Sequence, residues 1–350
     1  MSNLINLIDK LEIEQKLDKE EWIALIDGRN PEVGEYLFCK ARKIRQAHYG
    51  KEVFQRGLIE FTNYCKQDCY YCGIRKSNLD IPRYRLSEDE ILSCCYEGYQ
   101  LGFRTFVLQG GEDGYYSDDR LIPIISRIHK TYPDCAITLS LGERSYESYE
   151  KLFHGGARRY LLRHETYNHN HYSSLHPEHL TAANRQKGLW DLKKIGYEVG
   201  TGFMVGSPFQ DATHLTEDML FLKELNPQMV GIGPFMPHHN TPFGNQPAGS
   251  FELTLFMIGL IRLLLPKVLL PATTSLASID PKGREKGILA GANVIMPNLS
   301  PTNNRKNYLL YDNKIGTEDD AIHSHKNITK RMESIGYNVV VSRGDSLNVN

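Results

Sequence analysis

Leu58-Ile59-Glu60-Phe61-Thr62-Asn63-Tyr64-Cys65-Lys66-Gln67-Asp68-Cys69-Tyr70-Tyr71-Cys72-Gly73 is a short apolar run that empties into a loop carrying three cysteines at spacings of four and three. Three soft thiolates hold three irons of a cubane [4Fe-4S] cluster. The fourth iron is left without a protein ligand and open to a small molecule, which separates a catalytic cluster from an electron-storage one. Zinc asks for four ligands, and no further Cys or His lies within a few residues. Cys65, Cys69 and Cys72 are therefore the expected metal ligands and the catalytic core. The other cysteines, Cys39, Cys94, Cys95 and Cys135, are scattered. That is a reducing-compartment pattern rather than a disulfide framework, so a cytoplasmic and oxygen-protected setting is expected.

Outward from this loop the pattern becomes repetitive. Strand-like runs are expected at 58–61, 105–109, 136–140, 159–163, 199–204, 229–232, 268–270 and 293–296. Helical spacing separates them, beginning at Ser87 with Glu90 placed for a capping box. Eight such units predict an α/β fold, a (β/α)8 TIM barrel over 51–312, and no Gly-x-Gly-x-x-Gly turn follows the first strand to favour an open dinucleotide-binding sheet. Residues 1–50 read as an N-terminal helical extension and 313–350 as a C-terminal segment with one helix. The 41 basic and 42 acidic residues leave a net charge of -1, which excludes bulk nucleic-acid or anionic-membrane binding. No signal peptide or membrane span is expected.

In a barrel, residues just after each strand gather on one face. After the second strand stand Gln109, Gly110, Gly111 and Glu112; the glycines admit a close ligand and Glu112 suits an ammonium group. Thr138 and Ser140 share one side of strand three, and Arg163 and Glu165 one side of strand four. The last two fit a ligand bearing both ammonium and carboxylate, or an internal ion pair. Arg185 offers a bidentate fork. Thr273 and Thr274 are expected to end strand seven. Tyr308 and Tyr311, three apart, would share a helical turn. With Arg163 these four make an anion-friendly substrate pocket. Tyr71, beside the last cysteine, can stack on an adenine base or cover the cluster. His169, His171, His176, His179, His238 and His239 read as solvated loop histidines.

The cysteine spacing and the Gly-Gly-Glu turn resemble the radical S-adenosylmethionine (SAM) enzymes. From about Glu20 to Ile315 the chain resembles more narrowly the HydE family of [FeFe]-hydrogenase maturases. The likeness is carried by Gly73-Ile74-Arg75, Arg83-Tyr84-Arg85, Leu139 to Glu143, Arg163-His164-Glu165-Thr166, Gly231-Ile232-Gly233-Pro234-Phe235 and Pro271-Ala272-Thr273-Thr274. The resemblance implies SAM as cofactor, with Tyr71 on the adenine and Glu112, Gly110 and Gly111 at the amino group. Glu165 and Arg185 would hold its ribose, amino or carboxylate groups, with Ser140, Thr138 and Gln109 nearby and Met296 lining the adenosyl pocket. It implies as substrate a small iron complex bearing carbon monoxide, cyanide and cysteine, attacked at the cysteine sulfur by the adenosyl radical. It implies a low-potential reductant, and as partners the tyrosine-cleaving maturase HydG and the scaffold GTPase HydF. The C-terminal cysteines of some relatives have no counterpart, since none follows Cys135, so no accessory cluster is expected there. Methylornithine synthase and a non-catalytic cluster scaffold are the competing readings. Biotin synthase is disfavoured because strand five lacks a cysteine.

Overall fold

The computed structural model describes residues 2–317 and 321–348. Met1 of the predicted extension, and Glu318, Asp319, Asp320, Val349 and Asn350 of the predicted C-terminal segment, lie outside the described residues. The N-terminal region forms helices Ser2–Glu14, Lys19–Asp27 and Pro31–Tyr49. Asp18 and Glu21 close a capping box on the second, and Asn30 caps the third with Pro31 as its first residue. Leu11, Trp22 and Leu37 bury their side chains in one cluster with the helix Phe251–Leu264, which is itself buried almost all round. Among the described residues no helix is long and apolar enough to cross a membrane.

The strands are β1 (Glu52–Gln55), β2 (Gly57–Thr62), β3 (Thr105–Gly110), β4 (Ala136–Ser140), β5 (Arg159–Leu161), β6 (Glu198–Thr201), β7 (Met204–Val205), β8 (Met229–Val230), β9 (Gly233–Pro234), β10 (Val294–Ile295) and β11 (Asn338–Val340). β2, β3, β4, β5, β6 and β8 pair in that order, all parallel. Helices Glu88–Gln100, Asp118–Thr131, Tyr146–His154, Ala182–Ile195 and Ala212–Leu225 make the crossovers. The result is a partial α/β barrel. Burial on both faces explains why β2 is buried at all six positions and reads as a nearly continuous apolar run.

Beyond β8 the ladder thins to single bridges, Met229 to Leu269, Pro271 to Val294 and Leu58 to Asn298. The expected strand over 268–270 is therefore not a regular strand: Pro271 lacks an N–H to extend it. Strand four stops at Leu161, and strand five is split into β6 and β7 around Gly202 and Phe203. Gly202 takes a φ of +155, and a Cβ there would lie 1.9 Å from Gly231 O, so the two strands approach too closely for a side chain. A small parallel sheet, in which β1 lies between β10 and β11, was not expected from the sequence. Below it the tail anchors to the barrel floor, Arg343 O accepting from Thr105 Oγ1 at 2.8 Å and Asp345 pairing with Arg159.

Candidate active site

The loop after β2 carries Cys65, Cys69 and Cys72, all half-buried. It has no regular structure, so its shape comes from braces. Arg83 spends its guanidinium on four loop carbonyls, Asn63 O, Ile74 O at 2.9 Å, Arg75 O at 2.6 Å and Asn78 O at 2.9 Å. Arg75 Nε donates to Asp68 Oδ1 at 2.6 Å, and this pairing holds the Asp68 carboxyl well below its usual range. Cys65 Sγ accepts from Gln67 N and Glu112 N, each at 3.4 Å.

Burial pushes the Cys65 and Cys69 thiols up, and Cys72 up to about 12; neighbouring cysteines add to the shift at Cys69 and Cys72, and Glu112 adds to it at Cys65. Three crowded, desolvated thiols stay protonated alone. Bound iron reverses that balance by replacing the protons. The donor set, soft ligands on one pinned loop with backbone N–H groups toward sulfur, fits an iron–sulfur cluster.

The Gly-Gly-Glu turn lies against this loop. A Cβ on Gly111 would sit 2.2 Å from Tyr64 O and 2.7 Å from Cys65 Cβ, so this glycine serves the packing of two loops rather than opening space for a ligand. Glu112 is engaged: Gln67 Nε2 donates to it at 2.7 Å and Glu143 N at 3.0 Å, and Lys66 Nζ lies at 3.5 Å. Arg185 is buried rather than on the surface. Its Nε donates to Glu143 Oε1 at 2.6 Å and its Nη1 to Arg163 O at 2.8 Å. The fork expected to be free for a ligand is thus partly spent on Glu143, leaving Nη2 without a hydrogen bond among the described residues. An open cleft of about 350 Å³ lined by Lys66, Glu112, Leu141, Glu143 and Arg144 adjoins these groups.

Arg163 and Glu165 lie together, Nη2 to Oε2 at 3.2 Å, outside hydrogen-bonding geometry. Arg163 Nε and Nη2 and Glu165 Oε2 are buried with no hydrogen-bond partner among the described residues. Glu165 also adopts a φ of +65, rare for a side-chain-bearing residue and bridged in place to Phe203. Arg163 and Glu165 therefore form the internal ion pair that the sequence left open, with three polar atoms that no hydrogen bond among the described residues satisfies. His164 faces away, its Nδ1 on Thr201 Oγ1 at 2.9 Å and its Nε2 on Asp218 at 3.2 Å, as the alternation expected.

Other expected residues are placed differently. Thr138 lies in a lower void with Arg56, Met229 and Leu269, its hydroxyl unpartnered, and Ser140 is half-buried two residues further on. Met296 packs on the cluster of Tyr49, Phe54, Met229, Leu269 and Val294. Thr273 and Thr274 do not end a strand. Thr273 is the N-cap of the helix Thr274–Ile279, and its Oγ1 is 3.0 Å from Ser275 Oγ. Tyr308 and Tyr311 follow the short helix Thr302–Arg305 in irregular chain and share no helical turn. Tyr308 is buried with its hydroxyl 3.5 Å from Gln109 Nε2, while Tyr311 is half-buried.

Three of the histidines read as solvated are buried: His171, His176 and His238. His238, His239 and Asp312 bring ligating atoms within 4.8 Å of one another. The two rings stack at 4.6 Å and 17°, so their in-plane lone pairs run parallel instead of converging, and His238 Nδ1 already accepts from Asn240 N at 3.2 Å. The trio braces its loop.

Sequence reasoning missed Gln67, Glu143 and the buried pair of Glu60 and Lys314, 2.5 Å apart, with Asn298 Nδ2 on the other Glu60 oxygen at 2.8 Å. Glu60 had a signal, a lone carboxylate inside an apolar run. Lys314, in irregular chain far along the sequence, had none.

Comparison with known proteins places this geometry. The family model described as the radical SAM superfamily matches residues 59–222. The [FeFe] hydrogenase maturase subunit HydE of Thermotoga maritima is 45% identical over 309 residues, 87% of this chain and 88% of that protein. Among solved structures, methylornithine synthase (PylB) superposes with a TM-score of 0.83 at 27% identity, covering 95% of this chain and 97% of that one. The [FeFe]-hydrogenase maturase HydG superposes at 0.80 and 20% identity over 96% and 75%, a likeness of fold.

Proposed function

The chain belongs to the radical SAM superfamily, among enzymes related to HydE, HydG and PylB, and from that premise we propose that it acts in assembling the di-iron subcluster of [FeFe]-hydrogenase. Its substrate on this reading is a small iron complex bearing carbon monoxide, cyanide and cysteine. The observation that carries the reading is the 45% identity to HydE over 87% of the chain.

Cys65, Cys69 and Cys72 hold one [4Fe-4S] cluster, which when bound supplies the electron that cleaves SAM to methionine and a 5'-deoxyadenosyl radical. Tyr71 forms a wall for the adenine. Arg163 and Glu165, with their orphaned atoms, and Arg185, through Nη2, take up the charged groups of the two ligands. Glu112, fixed by Gln67 and Glu143 N, faces the amino group beside Gly110, Gly111 holds the turn against the cysteine loop, and Ser140 and Gln109 complete the rim. Thr273, Thr274, Tyr308 and Tyr311 bound the substrate end, Thr138 and Met296 the layer below. No side chain acts as general base; the barrel orients the reactants and excludes water.

The bridges from Met229 to Leu269, Pro271 to Val294 and Asn298 back to Leu58 support reading the sheet as a complete eight-membered ring over 51–312, with 1–50 and 313–350 as its extensions. HydG as source of the iron complex, HydF as acceptor and a low-potential reductant follow as partners of this reading.

The PylB superposition favours one alternative, an amino-acid mutase. A single assay separates the two: electron paramagnetic resonance with mass spectrometry of reactions given the iron complex or lysine. An adenosyl thioether on cysteine sulfur supports the proposal. Methylornithine from lysine, with no thioether, overturns it.

A further inference from the structure

We propose that His176 is a positioning residue for SAM: it fixes the plane of the Tyr71 ring before the adenine arrives. The inference rests on the reading of Tyr71 as the adenine wall. It concerns a histidine in a His-rich loop that sequence alone consigns to solvent.

Tyr71 sits on a loop without regular structure, so its backbone does not dictate where the ring points. Its hydroxyl has one hydrogen-bond partner among the described residues, His176 Nε2 at 3.1 Å. The tautomer of His176 is set from its other side. Nδ1 lies 2.9 Å from Tyr172 O, a carbonyl that only accepts, so Nδ1 carries the proton and Nε2 presents its lone pair. The Tyr71 hydroxyl is then the donor. His176 is 1% exposed and stacks on Tyr172, with ring centroids 3.9 Å apart and planes at 17°. It meets Tyr71 edge-on, at 5.4 Å and 88°. The imidazole cannot swing without losing its stack and both hydrogen bonds.

The same segment grips the cysteine loop elsewhere. Tyr70 N donates to Leu175 O at 3.0 Å, and His179 Nε2 lies 3.0 Å from Gln67 Oε1. Cys69 packs against Tyr172, Leu180 and Ala182. The helix His169–Leu175 and the turn after it are thus a template for the loop, and His176 is the part of the template that reaches Tyr71. A stacking ring already held in its bound orientation spares the ligand the cost of ordering it.

The test uses full-length reconstituted enzyme and four variants: His176→Phe, His176→Gln, Tyr71→Phe and the double His176→Phe/Tyr71→Phe. Iron content, SAM affinity by calorimetry, and KM for SAM against kcat are read for each. His176→Phe keeps a ring to stack on Tyr172, and Tyr71→Phe removes only the hydroxyl. The expected result is about fivefold weaker SAM binding in each single variant, the weight of one neutral hydrogen bond. KM should rise more than kcat falls, with iron retained. The double variant should be no worse than either single one, because both delete the same bond. His176→Gln should recover most of the affinity through its carbonyl oxygen. Multiplying losses in the double variant, unchanged affinity in both singles, or loss of iron in His176→Phe overturns the inference. A wild-type chain that binds no SAM removes the functional reading as well. A wild-type chain that binds SAM, matched by its variants, removes this inference alone.

Discussion

Replacing Arg185 by methionine should weaken SAM binding about thirtyfold and leave the cluster in place. Arg185 spends Nε on Glu143 at 2.6 Å and Nη1 on Arg163 O at 2.8 Å, so its charge is balanced by Glu143 and one nitrogen, Nη2, remains to donate to a carboxylate. A single charge-assisted hydrogen bond contributes about 2 kcal/mol, which is roughly a factor of thirty in a dissociation constant. A second effect runs the same way. Without Arg185 the half-buried Glu143 carboxylate loses its counter-ion and repels the arriving carboxylate. Arg185→Met combined with Glu143→Gln removes that repulsion and should recover part of the loss. Lysine at 185 keeps the charge but cannot reach both partners with a fork, so it should fall between wild type and methionine. Calorimetric titration with SAM, alongside iron content for each variant, reads all three. Unchanged affinity in Arg185→Met, or a double variant weaker than the single one, would refute the assignment and leave Arg185 a structural partner of Glu143.

Alanine at Cys65, Cys69 or Cys72 should abolish SAM cleavage and cut iron from about four per chain, measured on anaerobically reconstituted protein; full iron retention would sink the cluster assignment. Arg83→Met strands four loop carbonyls and should lower cluster occupancy, scored by iron and visible absorbance, while far-ultraviolet circular dichroism shows an intact barrel. Lys314→Met leaves Glu60, 1% exposed, without its cation, and should cost about 3 kcal/mol in urea unfolding; adding Glu60→Leu should restore most of it. Burial pushes the His171 pKa down to about 4 and that of His176 to about 3, below the 6.5 of an unfolded chain. Their contribution is whole above pH 6.5 and lost as pH falls toward 4 and 3, because the unfolded chain takes up protons first. Stability should drop by about 2 kcal/mol per pH unit near pH 5.5, and the slope should shrink in His176→Phe; a flat urea midpoint from pH 7.5 to 5.5 would count against it.

The cysteine loop, the strand–helix alternation and the Ser87–Glu90 capping box were legible in the sequence because each is a local matter. Ligand spacing, periodicity two or near four, and a cap with its partner three residues on are settled within a dozen residues. The strand Ala136–Ser140 falls where its periodicity puts it, and Thr105–Gly110 runs one residue beyond its expected end. Whether a side chain is free or spent is not local. Arg185 finds Glu143, 42 residues away, and Glu60 finds Lys314, 254 residues away. His176 reaches Tyr71 across 105 residues and turns from a loop histidine into a buried brace. The sheet's weak side shows the same division. The apolar run at 268–270 is strand-like by composition, but the neighbouring strands and Pro271 reduce it to bridges and start a helix at Thr274. The sequence by itself determined the strand–helix alternation through the first six units and which loop gathers the three thiols. Only the tertiary structure decided which polar groups are already paired, and therefore which remain to meet a ligand, because pairing depends on distances that chain order does not encode.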